Sequence, residues 1–323
     1  MFARAAVIPK GAEVRDYRPG RGPANVCIII PARDEVTTLP RCLQSLLDQN
    51  YDGVMRLVVS DNGSTDGTVA LARTWAGRFE AAGHEVIVLH LPEGNKCAAL
   101  NAADAAARDL PRIYLDADVE LSPTCVAEVV AALAGHSGVA MCSPQMRIAR
   151  SPAWVTRRYA RVWGRLPWVR DDAIGGGFYA VSASGRRRWG PFPDLLSEDS
   201  FVQAQFRRCE RRVLNDCYFQ IHLPDGFRDL LKVRTRQFSG NRQLARQCGG
   251  EWGRAAFPLG DRIRFLLTTP ALWPDLPLYF FINALARRRA RRREAIGTRV
   301  WERARPAAAE HHDADEAELA SMH

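Results

Sequence analysis

The chain is poor in lysine, in paired cysteines and in uninterrupted apolar runs. Its only lysines are Lys10, Lys96 and Lys232, so the formal charge of +9 over 323 residues comes almost wholly from arginine. The eight cysteines show neither paired zinc-ligand spacing nor the density of a disulfide scaffold, which predicts reduced thiols and a cytoplasmic setting. Because no basic motif is interleaved with aromatic residues, the charge predicts an anionic partner such as a nucleotide diphosphate or an acidic membrane surface, and no nucleic acid.

The composition is that of a globular protein, with 47% hydrophobic and 25% charged residues. The first 24 residues contain no apolar core long enough for a secretory signal, so we expect a flexible arm or a clasp laid over the domain. We expect one domain in two halves, 25–120 and 121–254, and then an apolar and basic extension over 255–305. The stretch 306–323 is rich in Ala, Glu, Asp and His, which predicts disorder.

Short β-branched runs alternate with stretches of helical periodicity between Val26 and about Val119. The predicted strands are 26–30, 57–60, 86–89 and 113–115, and the predicted helices are 38–47, 68–82 and 98–108. Continuous apolar strands separated by helices of this length indicate a parallel sheet that is buried on both faces. In such sheets, ligands bind beyond the carboxyl ends of the strands.

Polar residues cluster where three of these strands end. The segments are 31–35 after the first strand, 61–67 after the second, and Asp116-Ala117-Asp118 after the fourth. Two carboxylates at a strand end are hard oxygen ligands suited to Mg²⁺ or Mn²⁺ bridging a diphosphate, although a solvated turn would also explain them. The segment 61–67 is likewise compatible with a turn followed by a helix cap. Together the three strand ends predict one polar site.

Four segments occur in the order found in family 2 glycosyltransferases, which the chain resembles from about Val26 to Arg242. They are Pro-Ala-Arg-Asp-Glu at 31–35, Ser-Asp-Asn-Gly-Ser-Thr-Asp at 60–66, Gly-Asn-Lys-Cys-Ala-Ala-Leu-Asn at 94–101 and Leu-Asp-Ala-Asp at 115–118. The resemblance implies the GT-A fold, an α/β fold with a Rossmann-like, mostly parallel central sheet flanked by helices. It also implies inverting transfer of a sugar from a nucleotide diphosphate, with a divalent metal, a donor site in 25–120 and an acceptor site in 121–254.

The resemblance also implies roles for single residues of the donor site. Those placed at the nucleotide sugar are Pro31, Arg33, Glu35, Asp61, Lys96, Asp116 and Arg236. Asp61 would recognise the base, since a carboxylate there can accept a hydrogen bond from base or ribose, and Lys96 would offer a mobile positive charge to phosphate. Asp118 would be the direct metal ligand, and Asp116 would lie near the ribose or sugar and share the metal.

The second half carries the candidates for the acceptor site and the catalytic base. Gly176 and Gly177 resemble the family's glycine-rich segment, where missing side chains let a sugar approach the backbone; an ordinary flexible loop is the alternative. Glu198 and Asp199 open a predicted helical run over 200–208, so helix capping alone would explain their charge. The resemblance implies that Asp199 is the general base and that Glu198 binds the acceptor or orients the site.

Two further features leave alternatives open. Residues 234–242 occupy the place where processive relatives carry Gln-x-x-Arg-Trp, but only Arg236 matches, so we expect one transfer per encounter. Arg234 or Arg236 would contact the diphosphate, or both would belong to a solvated helix face. His222 lies between apolar residues and is either a third metal ligand or a structural residue.

The extension combines an apolar stretch over 265–286 with the arginine run 287–293. Prolines interrupt the stretch, and a membrane-spanning helix needs about 20 predominantly apolar residues. We interpret 265–293 as a monotopic segment that contacts the inner face of the cell membrane through aromatic residues and arginines. The aromatic residues are Trp273, Tyr279, Phe280 and Phe281. The alternative is a helical element that packs on the catalytic domain or on a second subunit.

Two other classes of protein compete with this interpretation. A sugar-nucleotide nucleotidyltransferase would need a glycine-rich signature where this chain has 31–35. A catalytically silent GT-A scaffold is disfavoured because costly carboxylates remain at Asp116, Asp118 and Asp199. UDP-sugars are the commonest donors of the family and are our first choice, while a lipid carrier, a glycan and a small natural product are all candidate acceptors.

Overall fold

The structure, a computed structural model, describes residues 13–18, 25–135, 138–173, 176–247 and 259–295. The strands are β1 (Glu13–Arg18), β2 (Val26–Ala32), β3 (Met55–Asn62), β4 (Glu85–Leu91), β5 (Arg112–Leu115), β6 (Glu120–Leu121), β7 (Met141–Ile148), β8 (Phe178–Val181) and β9 (Arg211–Ile221). The helices are α1 (Leu39–Leu47), α2 (Thr68–Ala81), α3 (Lys96–Ala106), α4 (Cys125–Ala134), α5 (Trp154–Trp163), α6 (Pro167–Arg170), α7 (Ala183–Arg186), α8 (Glu198–Gln203), α9 (Gly226–Gln247), α10 (Leu259–Thr268) and α11 (Leu276–Ala295). Short 3₁₀ turns cover Arg208–Glu210 and Pro270–Asp275.

All the strands join one sheet in the order β1-β4-β3-β2-β5-β8-β7-β9-β6. Strands β4, β3, β2 and β5 are parallel, with Ile28 opposite both Leu57 and Ile113. This confirms the predicted parallel half. Beyond β5 the sheet becomes mixed, because β8 pairs antiparallel with both β5 and β7, while β9 is parallel to β7. The α/β fold with helices on both sides of the sheet is as predicted.

Part of the segment 1–24 is a strand at the edge of this sheet. We expect a flexible arm or a clasp there, and β1 pairs antiparallel with β4, with Tyr17 opposite Ile87. Such pairing uses backbone groups, so the sequence pattern of the arm gave little signal for it. The rest of the arm, and the tail 306–323 for which we predict disorder, lie outside the described residues.

Two hydrophobic clusters cover the two faces of the sheet. Leu57 and Val59 of β3 face the cluster formed with α1 and α2, while Val58 faces the cluster formed with α3. This alternation follows from the two-residue period of a strand. Because both faces are sealed, the polar strand ends are the part of the parallel half that remains open to ligands.

A third cluster joins the extension to the rest of the chain. It contains Tyr159 of α5, Leu230 of α9 and Ile282 of α11. The Asn283 side-chain oxygen of α11 accepts hydrogen bonds from the Tyr159 hydroxyl at 3.2 Å and from Arg234 Nη2 at 3.3 Å. The inner face of α11 therefore packs on protein. None of the described helices combines the length and the apolar character that a bilayer-spanning helix requires.

Candidate active site

The loops that follow β2 and β3 are tied to each other. The backbone N–H of Asp34 donates to Ser64 Oγ at 2.8 Å, and the Thr65 N–H donates to Asp34 Oδ1 at 2.7 Å. The Glu35 N–H donates to Thr68 Oγ1 at 2.8 Å, at the start of α2. Asp34 has a φ of 51°, a left-handed conformation that its short polar side chain tolerates. Two of the predicted polar segments therefore form one rim.

Asp61 lies at the end of β3 and is only 1% exposed. Its Oδ2 is 2.7 Å from Nδ1 of His90, and its Oδ1 accepts from the Ser64 N–H at 3.3 Å. His90 stands opposite Asp61 in the β3–β4 pairing, and its side chain is 28% exposed. The imidazole is thus the part of this pair that a ligand reaches first. His90 was not among the residues predicted from the sequence, although a lone polar residue near the end of an apolar strand indicates such a position.

Pro31 lies near the end of β2, and Arg33 and Glu35 follow it on the rim. The guanidinium of Arg33 lies directly over Gly94, where a Cβ would overlap it. Within the described ranges, no carboxylate lies within ion-pair distance of Arg33. The Glu35 carboxylate accepts a hydrogen bond from the Thr38 hydroxyl at the start of α1. Glu35 therefore also has a structural role at this helix, and Arg33 keeps a positive charge at the rim.

Lys96 joins the two halves of the site. It is the first residue of α3, whose N-cap Asn95 accepts a hydrogen bond from the Ala98 N–H at 3.0 Å. Lys96 Nζ lies 2.8 Å from Asp116 Oδ1 and 2.6 Å from Glu198 Oε1. Burial works to lower the pKa of Lys96, but the two carboxylates outweigh it and raise that pKa well above its usual range. Lys96 is therefore charged throughout the neutral range.

The two aspartates of the Asp-x-Asp segment have different environments. Burial alone would raise the pKa of Asp116, but Lys96 and then Arg236 reverse this effect, so that pKa is lowered. Asp118 has an exposed side chain, yet partial desolvation in the cleft and the negative charge of Asp116 raise its pKa. Among the described residues, no cation forms an ion pair with Asp118 as Lys96 does with Asp116.

These carboxylates offer part of a metal site. Across the described ranges, no group of three or more His, Cys, Asp or Glu side chains is arranged to hold a metal ion. His222 Nε2 lies 3.1 Å from Glu120 Oε1, so the predicted third ligand is hydrogen-bonded to a different carboxylate. Mg²⁺ is commonly held by one or two carboxylates with substrate phosphates and waters, so Asp116 and Asp118 fit a cation that arrives with a diphosphate.

Gly177 holds the glycine segment against the Asp-x-Asp segment. Its carbonyl accepts a hydrogen bond from the Asp116 N–H at 2.9 Å, and its φ is +104°. A Cβ there would lie 2.9 Å from Val119 Cγ2. Gly176 precedes it in a turn, and Gly175 is outside the described residues. Backbone conformation and close packing thus require glycine at 177, whether or not an acceptor approaches it.

Glu198 and Asp199 are the first residues of α8, which ends at Gln203 and is shorter than the predicted run 200–208. Asp199 Oδ1 accepts a hydrogen bond from the Ser200 N–H at 2.6 Å. Burial, and then the negative charge of Glu198, raise the pKa of Asp199 to about 7. A carboxylate with a pKa near neutrality can both accept and release a proton at physiological pH.

Tyr179 is a second residue of the site that was not predicted from the sequence. It is buried in β8, its ring stacks on Tyr114 at 4.7 Å, and its hydroxyl has no hydrogen-bond partner within the described part of the chain. Burial, and then the negative charge of Glu198, raise its pKa far above the usual range, so it stays a neutral donor beside the carboxylates. Its position two residues after Gly177 is the sequence feature that could have indicated a place near the site.

Of the two candidate arginines on α9, only Arg236 faces the site. Arg234 is buried, and its guanidinium lies 5.6 Å from the Tyr159 ring centroid and 5.7 Å from that of Trp163. It is therefore neither a diphosphate ligand nor a solvated side chain. Arg236 lowers the pKa of Asp116, which places its charge at the cleft.

An open α/β sheet whose strand ends gather an Asp-x-Asp segment, a lysine and a Glu-Asp pair defines a GT-A protein. The model of the family described as "Glycosyl transferase family 2" matches residues 27–189, half of the chain. The chain belongs to this family, which confirms the resemblance seen in the four sequence segments.

Similarity to the solved structure of a mannosyltransferase supports the fold. The mannosyltransferase PcManGT from Pyrobaculum calidifontis, in complex with GDP-Man and Mn²⁺, superposes with a TM-score of 0.55 at 22% identity, covering 94% of this chain and 82% of that one. S. aureus TarS 1–349 in complex with UDP-GlcNAc has a TM-score of 0.48 at 12% identity, over 85% of this chain and 92% of that one.

The curated relative y4gI, an uncharacterised protein of Sinorhizobium fredii (strain NBRC 101917 / NGR234), is 35% identical over 123 residues. The match covers 38% of this chain and 13% of that protein. The chain thus corresponds to a small part of the length of this relative.

Proposed function

We propose that this protein transfers a sugar, with inversion and once per encounter, from a nucleotide-diphosphate donor to an acceptor hydroxyl. The observation that carries the proposal is the bridge made by Lys96, whose amine binds both Asp116 and Glu198. It brings the carboxylates of the donor half and the candidate base Asp199 into one cleft.

The rim and the Asp-x-Asp segment together suit a nucleotide sugar. The pair of Asp61 and His90 would face the nucleobase, and Arg33 would lie towards the phosphates, since guanidinium pairs well with phosphate oxygens. Pro31 and Glu35 would line the nucleoside pocket. Our first choice of donor is a UDP-sugar, and a GDP-sugar deserves equal testing because PcManGT was solved with GDP-Man.

Positive charge in the cleft suits the departure of a nucleotide diphosphate. Asp118, together with Asp116, would hold Mn²⁺ or Mg²⁺, which when bound stabilises the negative charge of the leaving diphosphate. Lys96 and Arg236 lie beside Asp116 and would share this charge stabilisation. His222 is a weaker candidate for the metal because it pairs with Glu120.

Asp199 would act as the general base. Its carboxylate would take the proton from the acceptor hydroxyl while that oxygen attacks the anomeric carbon, and the bond to the diphosphate would break on the opposite face. A pKa of about 7 suits this task, because a base works best when its pKa lies near the working pH. Glu198 would fix Lys96 in place, and Gly176 and Gly177 would leave room for the acceptor.

The acceptor we favour is a lipid carrier or a membrane-bound glycan, with a small natural product as the further choice. Exposed aromatic residues of the extension support this, because Trp273, Phe280 and Phe281 project from it and arginines follow at 287–293. The segment 265–293 would make a peripheral contact with an anionic membrane.

The first experiment measures donor binding and turnover separately. Thermal shifts with UDP, GDP, dTDP and CDP, each with Mn²⁺, Mg²⁺ or EDTA, identify the nucleotide and its metal dependence, and nucleotide release measures turnover.

Asp199→Asn should lower turnover by about 10²- to 10⁴-fold and keep the nucleotide shift. The exposed Asp171→Asn is the matched control and should change neither. No shift with any nucleotide would favour the silent scaffold, and unchanged turnover of Asp199→Asn would remove its role as base.

A further inference from the structure

The outer face of α5 carries one tryptophan and three arginines in a single row. Trp154, Arg157, Arg158 and Arg161 follow the i, i+3, i+4, i+7 spacing that places side chains on one side of a helix. These four residues line a cavity of about 280 Å³. The opposite side of α5 is buried in the third hydrophobic cluster, so the row faces outward.

The arginines of this cavity are held in place by a carboxylate beneath them. Asp275 is 0% exposed, and its oxygens lie 2.7 Å from Arg158 Nη1 and 3.2 Å from Arg161 Nη1. Arg157 Nη1 donates to the Ser151 carbonyl at 3.0 Å. One carboxylate thus fixes two guanidiniums while the row carries three positive charges. An anion bound in the cavity would meet side chains that are already ordered.

Large apolar side chains are exposed next to the cavity. Trp154 is 61% exposed at its rim, and Trp273 is 51% exposed on the 3₁₀ turn whose Ala271 carbonyl accepts from Arg161 Nη2 at 3.3 Å. Leu267, Phe280 and Phe281 are further exposed apolar side chains, on α10 and α11 of the extension. Exposed aromatic residues beside arginines match the interface of a bilayer that contains anionic lipids.

We propose that the cavity of Trp154, Arg157, Arg158 and Arg161 binds the phosphate of an anionic lipid headgroup while the neighbouring aromatic side chains enter the bilayer interface. Guanidiniums bind phosphate oxygens through paired N–H groups, and indole rings prefer the headgroup region. Free phosphate would satisfy the arginines but would leave the apolar side chains in water, so a bilayer explains both features. The site does not depend on the proposed sugar transfer.

The test is co-sedimentation of the full chain with vesicles of phosphatidylcholine alone or mixed with phosphatidylglycerol. We expect binding to the mixed vesicles only. The variant Trp154→Ser/Arg157→Gln leaves the contacts of Asp275 intact and should weaken binding by about tenfold or more. The exposed Arg73→Gln on α2 removes one charge elsewhere and should bind like the unchanged protein. Nucleotide thermal shifts, which report the donor site, should stay the same in both variants.

Three results would overturn the proposal. Equal binding to both kinds of vesicle would show that the net negative charge of the headgroup is not recognised. Full binding of the double variant would assign the contact to the arginines at 287–293. Competition by inorganic phosphate that abolishes vesicle binding would make free phosphate the ligand. Arg157→Gln alone, with an unchanged melting temperature, separates loss of binding from loss of fold.

Discussion

At the level of single residues, Asp199 carries the clearest pH dependence. Its pKa is raised to about 7, first by burial and then by Glu198. If Asp199 is the base, kcat/KM for the acceptor should be level above about pH 7 and should fall tenfold per pH unit well below it. A profile that stays flat between about pH 6 and about pH 8 would contradict this assignment.

The raised pKa of Asp199 also predicts the direction in which the stability of the protein changes with pH. The native state holds the proton of Asp199 more tightly than the unfolded chain, whose reference pKa is 3.8. Stability is therefore lost as the pH rises from about 4 to about 7. Asp199→Asn lacks this loss, so its melting temperature should exceed that of the unchanged protein by more at pH 8 than at pH 5. Equal differences at both pH values would show that burial of the charge costs little.

Lys96 can be tested against a second lysine of the same chain. Lys96→Ala leaves Asp116 and Glu198 without their shared cation, so we expect a loss of about 1 to 3 kcal/mol in the free energy of unfolding. Mn²⁺ should raise the melting temperature of this variant more than that of the unchanged protein, because a cation can take the place of the amine. Lys232→Ala on α9 removes a partly exposed ion pair with Asp229 and should cost at most about 0.5 kcal/mol.

Sequence reasoning found the residues at strand ends because each depends on a local pattern. Asp61 and Asp116 follow apolar strands, and parallel strands bring their ends together whatever the rest of the chain does. The partners of these residues were not predictable in this way. Lys96 and Glu198 are far apart in sequence, and their 2.6 Å contact depends on how α3 and α8 are packed. The pairing of Asp61 with His90 likewise depends on the register of two strands.

At the level of elements, α9 supports the catalytic loop through a glycine. Gly240 packs against the segment before α8, where a Cβ would overlap Ser197 Oγ and lie 3.1 Å from Leu196 Cβ. Gly240→Ala should therefore push this segment away and lower turnover by about tenfold or more, since small displacements of catalytic groups are costly. Turnover is measured as nucleotide release at saturating donor.

The chain offers a matched control for this substitution in α2. Gly77 lies within that helix, and nothing lies within 4 Å of a Cβ built on it. Gly77→Ala should stabilise the protein by about 0.5 to 1 kcal/mol and leave turnover unchanged, because alanine favours a helix more than glycine does. If Gly240→Ala behaved like Gly77→Ala, the close contact between α9 and Ser197 would have no role in the site.

Strands β2 to β5 and helices α1 to α3 could be predicted to within two residues at each end, and the elements of the second half could not. Strands β2 to β5 are buried on both faces, so their apolar runs stand out from the helices between them. In β9, by contrast, partly exposed and charged residues such as Arg211 and Asp216 dilute the pattern. Its pairing with β7 is also irregular, because the register shifts between Pro144 and Gln145.

At the level of the whole molecule, one side of the extension packs on the rest of the protein and the other side faces outward. The sequence of 265–293 is compatible with membrane contact and with packing on protein. The inner face of α11 packs on α5 and α9, while Phe280 and Phe281 remain exposed. Packing on protein and exposure therefore occur on different sides of the same helix. The apolar composition alone does not say which side is covered.

Asn283 is the residue through which the extension is tied to the buried arginine of α9. Its side-chain oxygen accepts from Tyr159 and from Arg234, and its amide donates to the Tyr279 carbonyl at 2.8 Å. Asn283→Ala would leave a buried guanidinium and a buried hydroxyl without this acceptor, so we expect a loss of about 1 to 3 kcal/mol. Chemical denaturation of the full chain measures this loss.

Asn241→Ala, at an exposed position of α9, is the control and should change the free energy of unfolding by about 0.5 kcal/mol at most, in the stabilising direction. If both variants unfolded at the same denaturant concentration, α11 would unfold independently of the catalytic domain.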